Sequence, residues 1–300
     1  MLSFQNKKAL KFVITLGTGT FGSSNANQIT LQGLRATVDI NKAGGMMMGE
    51  LHAQIWGVRQ SDINSVTTLQ WKPRAIIPNT VAIYAIDGTQ ETLIFQGNIV
   101  NAWGNYEAMP DAFLMIQAQA AYFNQLQAVA PTSIKGNVDV ATLMGQIVAT
   151  MNKSNHGGPQ YTFENNGVNV QLSNPYLPNT ALEQIKALAR AAGCDLYLDD
   201  TVLAITPANS PRLSTIIPEI SSASGLVGYP TFDGIGVNFR TVFNPAIRFG
   251  GSFQLVTDLT QAAGQWIATS IAHRLDSDKP GGQWFSQVRG NKNGLAIVRN

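Results

Sequence analysis

The sequence predicts a mainly β protein with a small α/β insert. Period-two alternation runs through the first hundred residues, helical periodicity is confined to the middle of the chain, and alternation returns after Leu213. The predicted divisions are a β domain over 1–133, an α/β domain over 134–212 and a second β domain over 213–300.

Residues 8–16 (KALKFVITL) are rich in β-formers and are followed by the small, polar loop GTGTFGSSNAN. Gln28–Ile40 alternates through Ile29, Leu31, Leu34, Val38 and Ile40 and reads as one half-buried strand. Gly44-Gly45 is a turn signal. Gly49–Val58 alternates with Leu51, Ala53 and Ile55 on one face. Asp87-Gly88 lies between two further alternating runs, a strong hairpin signal. Asp111–Val129 is ambiguous: Ala, Gln, Leu and Met favour helix, while Leu114, Ile116, Ala118 and Ala120 also fit a strand face. Propensity alone favours the helix.

In the middle, Val140, Leu143, Met144, Ile147, Val148 and Met151 recur at helical spacing behind Asp139, an N-cap residue. FENNGVNVQL gives a turn and a short strand. Thr180 and Glu183 form a capping-box pattern, Leu182, Ile185, Leu188 and Ala189 share a helical face, and Gly193 stops the helix. DLYLDDTVLAITP predicts a hairpin turning near Asp199-Asp200. From Leu213 onward, β-rich runs break at Asn244-Pro245 and Gly250-Gly251, and WIATSIAHRLDSD pairs with GGQWFSQVRG as a hairpin. Arg35 before Gly44-Gly45, and Arg240 before Gly250-Gly251, hint at an internal repeat.

Composition bounds the function. The chain has 300 residues, of which 44% are hydrophobic and only 13% charged, about half the usual charged share. A surface so poor in charge is weakly defended against self-association, which favours a subunit of an assembly; a secreted β protein is the alternative. Net charge is +2, too small for a strong field. Lys7, Lys8 and Lys11 read as a solvated edge and not as a nucleic-acid patch, which needs many phosphate contacts. Cys194 is the single cysteine, so no disulfide within the chain and no cysteine-rich zinc site is expected. No apolar run approaches the roughly 18 residues of a membrane span, and the N-terminus does not read as a signal peptide.

No catalytic, cofactor or metal site is predicted. His52 lies out of phase with the apolar residues of its strand, His156 falls in a loop, and Cys194 follows a helix C-cap where nothing would activate a thiol. His273, Asp276 and Asp278 would serve a hydrolase; the competing reading is a strand end running into a polar turn. Trp56, Trp71, Trp103, Trp266 and Trp284 would serve a carbohydrate-binding platform, although each lies within or beside a strand pattern. GLVGYPTFDGIG (225–236) resembles a dinucleotide loop, but such a loop must open a helix. Here VNFRTV follows, and position 239 is phenylalanine. Gly225–Pro230 is therefore expected to be a turn or loop, with Gly234–Gly236 leading into a strand over Val237–Val242.

Three passages carry a resemblance: Ile29–Ile40 with Leu51–Gly57, Ala181–Ala189 with Cys194–Pro207, and Ser224–Val237 with Phe243–Gly251. Their order resembles the baseplate hub proteins of contractile-tailed bacteriophages and their relatives in phage-like secretion machines. The resemblance implies two tail-tube-type β-barrel domains flanking the α/β domain, with Asp111–Ala120 as the closing strand of the first barrel. It implies a homotrimer whose six barrels join a hexameric tail tube to a trimeric central spike and line the DNA channel. The implied partners are further copies, the tail tube and central spike proteins, the tape measure protein and other baseplate subunits, with DNA only in transit. The implied place is the virion baseplate, after synthesis in the host cytoplasm. No enzymatic insert and no cofactor are implied.

Overall fold

A computed structural model describes residues 7–292 apart from 23–24, 44–46, 69–76, 108, 157 and 235. The Gly44-Gly45 turn and Trp71 lie outside the described residues. The first part runs β1 (Lys8–Thr15), β2 (Gln28–Gln32), β3 (Ala36–Lys42), β4 (Glu50–Trp56), α1 (Gln60–Val66), β5 (Thr80–Asp87), β6 (Gln90–Asn105), β7 (Phe113–Gln119) and α2 (Tyr122–Leu126). The middle holds β8 (Thr132–Ser133), β9 (Asn137–Asp139), α3 (Val140–Ser154), β10 (Thr162–Asn165), β11 (Gln171–Ser173), β12 (Tyr176–Leu177), α4 (Ala181–Ala192), β13 (Asp195–Asp199) and β14 (Val202–Thr206). The last part runs β15 (Glu219–Ile220), β16 (Leu226–Phe232), β17 (Val237–Val242), β18 (Ser252–Leu255), β19 (Gly264–Ser277) and β20 (Trp284–Asn291). Strands hold 47% of the described residues and helices 14%, so the class is mainly β with a small α/β insert.

Strands of the first and last parts form one 13-stranded sheet, joined where β3 lies antiparallel on β19, from Ile271 opposite Lys42 to Ser277 opposite Ala36. Alternation explains each strand. In β1, Leu10, Phe12 and Ile14 are buried, and in β4 Leu51, Ala53 and Ile55 are, while His52 between them is exposed. The expected single strand over Gln28–Ile40 is two, because Gly33 takes φ +70° and β2 and β3 go to different neighbours. The lysine-rich β1 is no edge: it lies between β2 and β5, and Lys8 and Lys11 pair with Asp87 and Glu91.

Two local expectations are corrected. Asp111–Val129 is not the helix that propensity favours; the strand that the resemblance implies within Asp111–Ala120 is the one present. Phe113–Gln119 is a strand laddered on both sides, to β4 and to β6, and only Tyr122–Leu126 is helical. Two ladders outweigh a weak single-residue preference. Gly225–Pro230 is not a loop either, since Leu226–Phe232 pairs with β17 across an irregularity between Val227 and Thr231. The irregularity absorbs Gly228 and Pro230, and an end strand tolerates proline. Val237–Val242 is a strand as expected. Gly236 stands so close to the Gly290 carbonyl that a Cβ there would collide with it.

The insert places α3 and α4 with a three-stranded sheet in the order β10-β14-β13. Asp139 caps α3 by accepting the Thr142 N–H at 2.8 Å. Thr180 Oγ1 accepts the Glu183 N–H at 3.2 Å, while the Glu183 carboxylate turns to Lys186. Gly193 ends α4 at φ +61°, the left-handed cap that glycine takes without strain. FENNGVNVQL supplies two short strands, β10 and β11, which go to different sheets.

An internal repeat is present, on residues other than those the sequence suggested. In space β3-β4-β7-β6-β5 matches β16-β17-β20-β19-β18, in the same chain order. The registers agree as well. β6 skips Val100 in its ladder with β7, between Ile99 opposite Ala118 and Asn101 opposite Gln117. β19 skips Thr269 in its ladder with β20, between Ala268 opposite Gly290 and Ser270 opposite Arg289. Aligned on these bulges, Val81 matches Phe253, Ala53 matches Phe239 and Gly104 matches His273. Arg240 matches Gln54, not Arg35.

Candidate functional site

The charged groups that the fold gathers are not those picked out by motif. They meet where β3, the insert and the last part of the chain come together. Lys42, the last residue of β3, places Nζ 2.8 Å from Asp199 Oδ1 and 2.7 Å from Asp200 Oδ2. Asp199 ends β13 and Asp200 turns the hairpin at φ +54°. Arg212, on the connector leaving the insert, is 2% exposed. Its Nη1 donates to Asp199 Oδ2 at 2.9 Å and to the Phe249 carbonyl at 3.0 Å. Its Nη2 donates to Glu164 Oε2 at 2.9 Å, and Arg248 reaches the same oxygen at 3.2 Å. Three cations thus face three carboxylates.

Burial alone would discourage every one of these charges; their mutual pairing keeps most of them ionised. Burial pushes Asp199 up, but Lys42 and Arg212 outweigh it and hold the carboxyl down at about 2. Burial and the Asp199 charge raise Asp200 to about 7, against the pull of Lys42. Lys42 is held above the usual lysine range because the two aspartates outweigh its burial. Glu164 is lowered against its burial by Arg212 and Arg248. This arrangement ties three stretches of chain together. It offers neither an activated nucleophile nor a convergent ligand set, and no group of three or more His, Cys, Asp or Glu side chains suited to a metal occurs among the described residues. A cleft of about 280 Å³ lies beside the cluster, lined by Lys42, Asp200, Arg248 and His273 among others.

The residues considered for hydrolysis are not assembled into a site. His273 and Asp276 are three apart in β19 and so face opposite sides of the sheet. His273 is buried, not at a polar strand end. Its Nδ1 lies 2.8 Å from Ser286 Oγ, and burial, then the Lys42 charge, depress its pKa to about 3. Asp276 accepts from Thr37 Oγ1 at 2.6 Å and from the Gln283 N–H at 2.7 Å. Asp278 pairs with Lys7 at 2.9 Å. Cys194 is buried with Sγ 3.7 Å from the Ala189 carbonyl, and His156 sits beside Phe123.

The tryptophans among the described residues do not share one platform. Trp56 is half-buried beneath Arg35, whose guanidinium lies 4.5 Å from its ring, and Trp103 is half-buried in β6. Trp266 is buried and donates to the Ala262 carbonyl at 2.8 Å; Trp284 packs on Phe243.

Sequence reasoning missed the charge cluster because its members lie far apart in the chain and none sits in a motif. Asp199-Asp200 was visible only as a turn. A pair of adjacent acids facing a lone lysine at a strand end becomes a signal only once the strands are placed.

Comparison with known proteins places this architecture. The baseplate hub gp41 family matches residues 10–282. No curated protein matches the sequence. Among solved structures, a tail protein from Neisseria meningitidis MC58 superposes with a TM-score of 0.64 at 9% identity, over 95% of this chain and 96% of that one. A 43 kDa tail protein of prophage MuSo2 from Shewanella oneidensis gives 0.58 at 10% identity, over 96% and 100%. The E. coli c3393 protein gives 0.57 at 9% identity, over 87% and 75%. That protein is described as a component of the type VI secretion system with structural similarity to the T4 bacteriophage tail proteins gp27 and gp5. At such identities the likeness is one of fold.

Proposed function

The chain belongs to the baseplate hub gp41 family, and from that premise we propose that it is the structural hub of a contractile phage tail. Three copies form a ring that joins a hexameric tail tube above to a trimeric spike below, with the DNA channel through its middle. The observation that carries this reading is the register-level repeat. One chain holds two copies of the same five-strand pattern, and the bulge of the β6–β7 ladder recurs in the β19–β20 ladder. Three such chains present six equivalent units, which reconciles three-fold with six-fold symmetry without a second gene product.

Its neighbours are further copies, the tube and spike proteins, the tape measure protein and other baseplate subunits. It resides in the virion baseplate after synthesis in the host cytoplasm. Residues 1–133 and 213–300 act as the two tube-like domains, and 134–212 braces them through the charge cluster. The role is mechanical and not catalytic. Low surface charge suits it, because the cores of subunit interfaces are depleted in charge. Native mass spectrometry of the full chain, alone and with its cognate spike subunit, tests this. A trimer is expected in at least one condition; monomer in both would overturn the reading.

A further inference from the structure

The repeat also says where copies should touch. Within the chain, β3 covers the outer edge of β19 beyond the point where β18 ends. By the register match, β16 is the counterpart of β3, and β6 is the counterpart of β19. β6 shows the same arrangement: β5 pairs with its Gln90–Asn98 portion and stops there, leaving the outer edge beyond it. Thr68 occupies the first part of that edge, exchanging two 2.8 Å bonds with the backbone of Ala102. Ala102 is the counterpart of Ile271, where the β3 ladder begins. No strand pairs with this edge at Trp103–Asn105 among the described residues.

Burial separates the two copies of the pattern. Thr37 and Ile40 in β3 are 5% and 1% exposed, whereas their counterparts in β16, Val227 and Phe232, are 40% and 50% exposed. Tyr229, in the β16 irregularity, is 69% exposed. On the receiving side, Leu275 of β19 is fully buried and Tyr106, at the matching place just past β6, is 39% exposed. An end strand with apolar side chains is a template for further pairing.

We infer that β16 of one copy adds, antiparallel, to the outer edge of β6 in a second copy of this chain, repeating between chains what β3 and β19 do within one. Transferring the register places Phe232 opposite Gly104 and Thr231 opposite Asn105 of the neighbour. The contact is head-to-tail, so it closes only as a ring. This rests on the trimer reading above and adds its register. A second copy is the occupant because the edge that matches β16 under the repeat is supplied by this same sequence.

Cysteine cross-linking of the full chain tests it. Asn105→Cys and Thr231→Cys variants are purified separately, mixed and oxidised. Directly opposed residues of an antiparallel pair have Cβ atoms about 4.5–5.5 Å apart, close enough for a disulfide after small adjustment. A disulfide-linked heterodimer is expected in the mixture, and its loss when either variant is oxidised alone. The double variant should give a covalent closed trimer on a non-reducing gel. Wild-type native mass is recorded in parallel, and circular dichroism confirms that the variants fold. A native trimer without the heterodimer overturns the strand pairing and leaves the trimer reading standing. Homodimers of Thr231→Cys alone would mean that β16 pairs with itself, and also overturn it. Monomer in every condition removes both.

Discussion

In the first repeat β3 is paired along its outer edge with β19 and its Ile40 is 1% exposed; in the second, β16 ends the sheet and its Phe232 is 50% exposed. The two positions share a register and differ in what covers them. Inside the repeats the contrast in burial disappears and only side-chain size differs. Ala53 and Phe239 occupy matched places, as do Val81 and Phe253, and all four are buried. Side-chain volume is free to change as long as the pleat, the bulge and the inward face are kept. What the pattern conserves is therefore the geometry of edges, and an edge left open in one copy marks a missing neighbour.

The largest expected effect asks what holds the two repeats together, the β3–β19 ladder alone or the ladder with the charge cluster. Arg212→Met leaves Asp199 and Glu164 facing one cation fewer in a buried place, which should cost about 3–5 kcal/mol of stability. Arg248→Met should cost less than about 1 kcal/mol, because that ion pair is partly solvated. Urea midpoints of the two variants decide it. Equal small losses would mean that the ladder alone joins the repeats.

A smaller pair of changes sharpens the contrast between the leading strands. Ile40→Ala should cost about 2–5 kcal/mol, as buried aliphatic truncations do. Phe232→Ala should cost the monomer less than about 1 kcal/mol, since much of the ring is already in water. Thermal melts at low protein concentration measure both. A large loss at Phe232 in the monomer would show that β16 is already covered within its own chain.

Much of the fold was legible. Alternation in β1, β4, β5 and β6 and the capped helices α3 and α4 stood in the sequence because each depends on residues close together in it. β7 was not legible by propensity, since its ladders to β4 and β6 are supplied by residues far away. β16 was hidden because glycine and proline signal a loop, and only an end strand with an irregularity can hold them. The repeat was hinted at on the wrong residues, because truly matched positions share little identity: Gly104 answers to His273, and Leu114 to Ser286. The charge cluster was invisible for the same reason that it is useful, since Lys42, Glu164, Arg212 and Arg248 come from separate stretches of the chain.

The last effect, small in the wild type because two slopes oppose each other, uses a titrating group on the edge that β3 covers. His273, covered by β3, has its pKa depressed to about 3, so folding favours the neutral ring. Its contribution is complete above the ordinary histidine value and is lost as pH falls from about 6.5 towards 3, by at most about 1.4 kcal/mol per pH unit. Asp200 works in the opposite sense. Its pKa is raised to about 7 from 3.8, so the folded chain binds a proton more readily and gains stability as pH falls through that window. Between pH 4 and 6.5 the two slopes oppose each other, since the windows about 3–6.5 and 3.8–7 overlap there. Wild-type stability should therefore change little over that range. His273→Asn removes one slope, and this variant should gain stability relative to wild type as the solution is acidified; Asp200→Asn should lose it. Urea midpoints at several pH values across the window measure the divergence. Two variants running parallel to wild type would mean that neither group changes its proton affinity on folding, and that burial under β3 does not distinguish His273 from an exposed histidine.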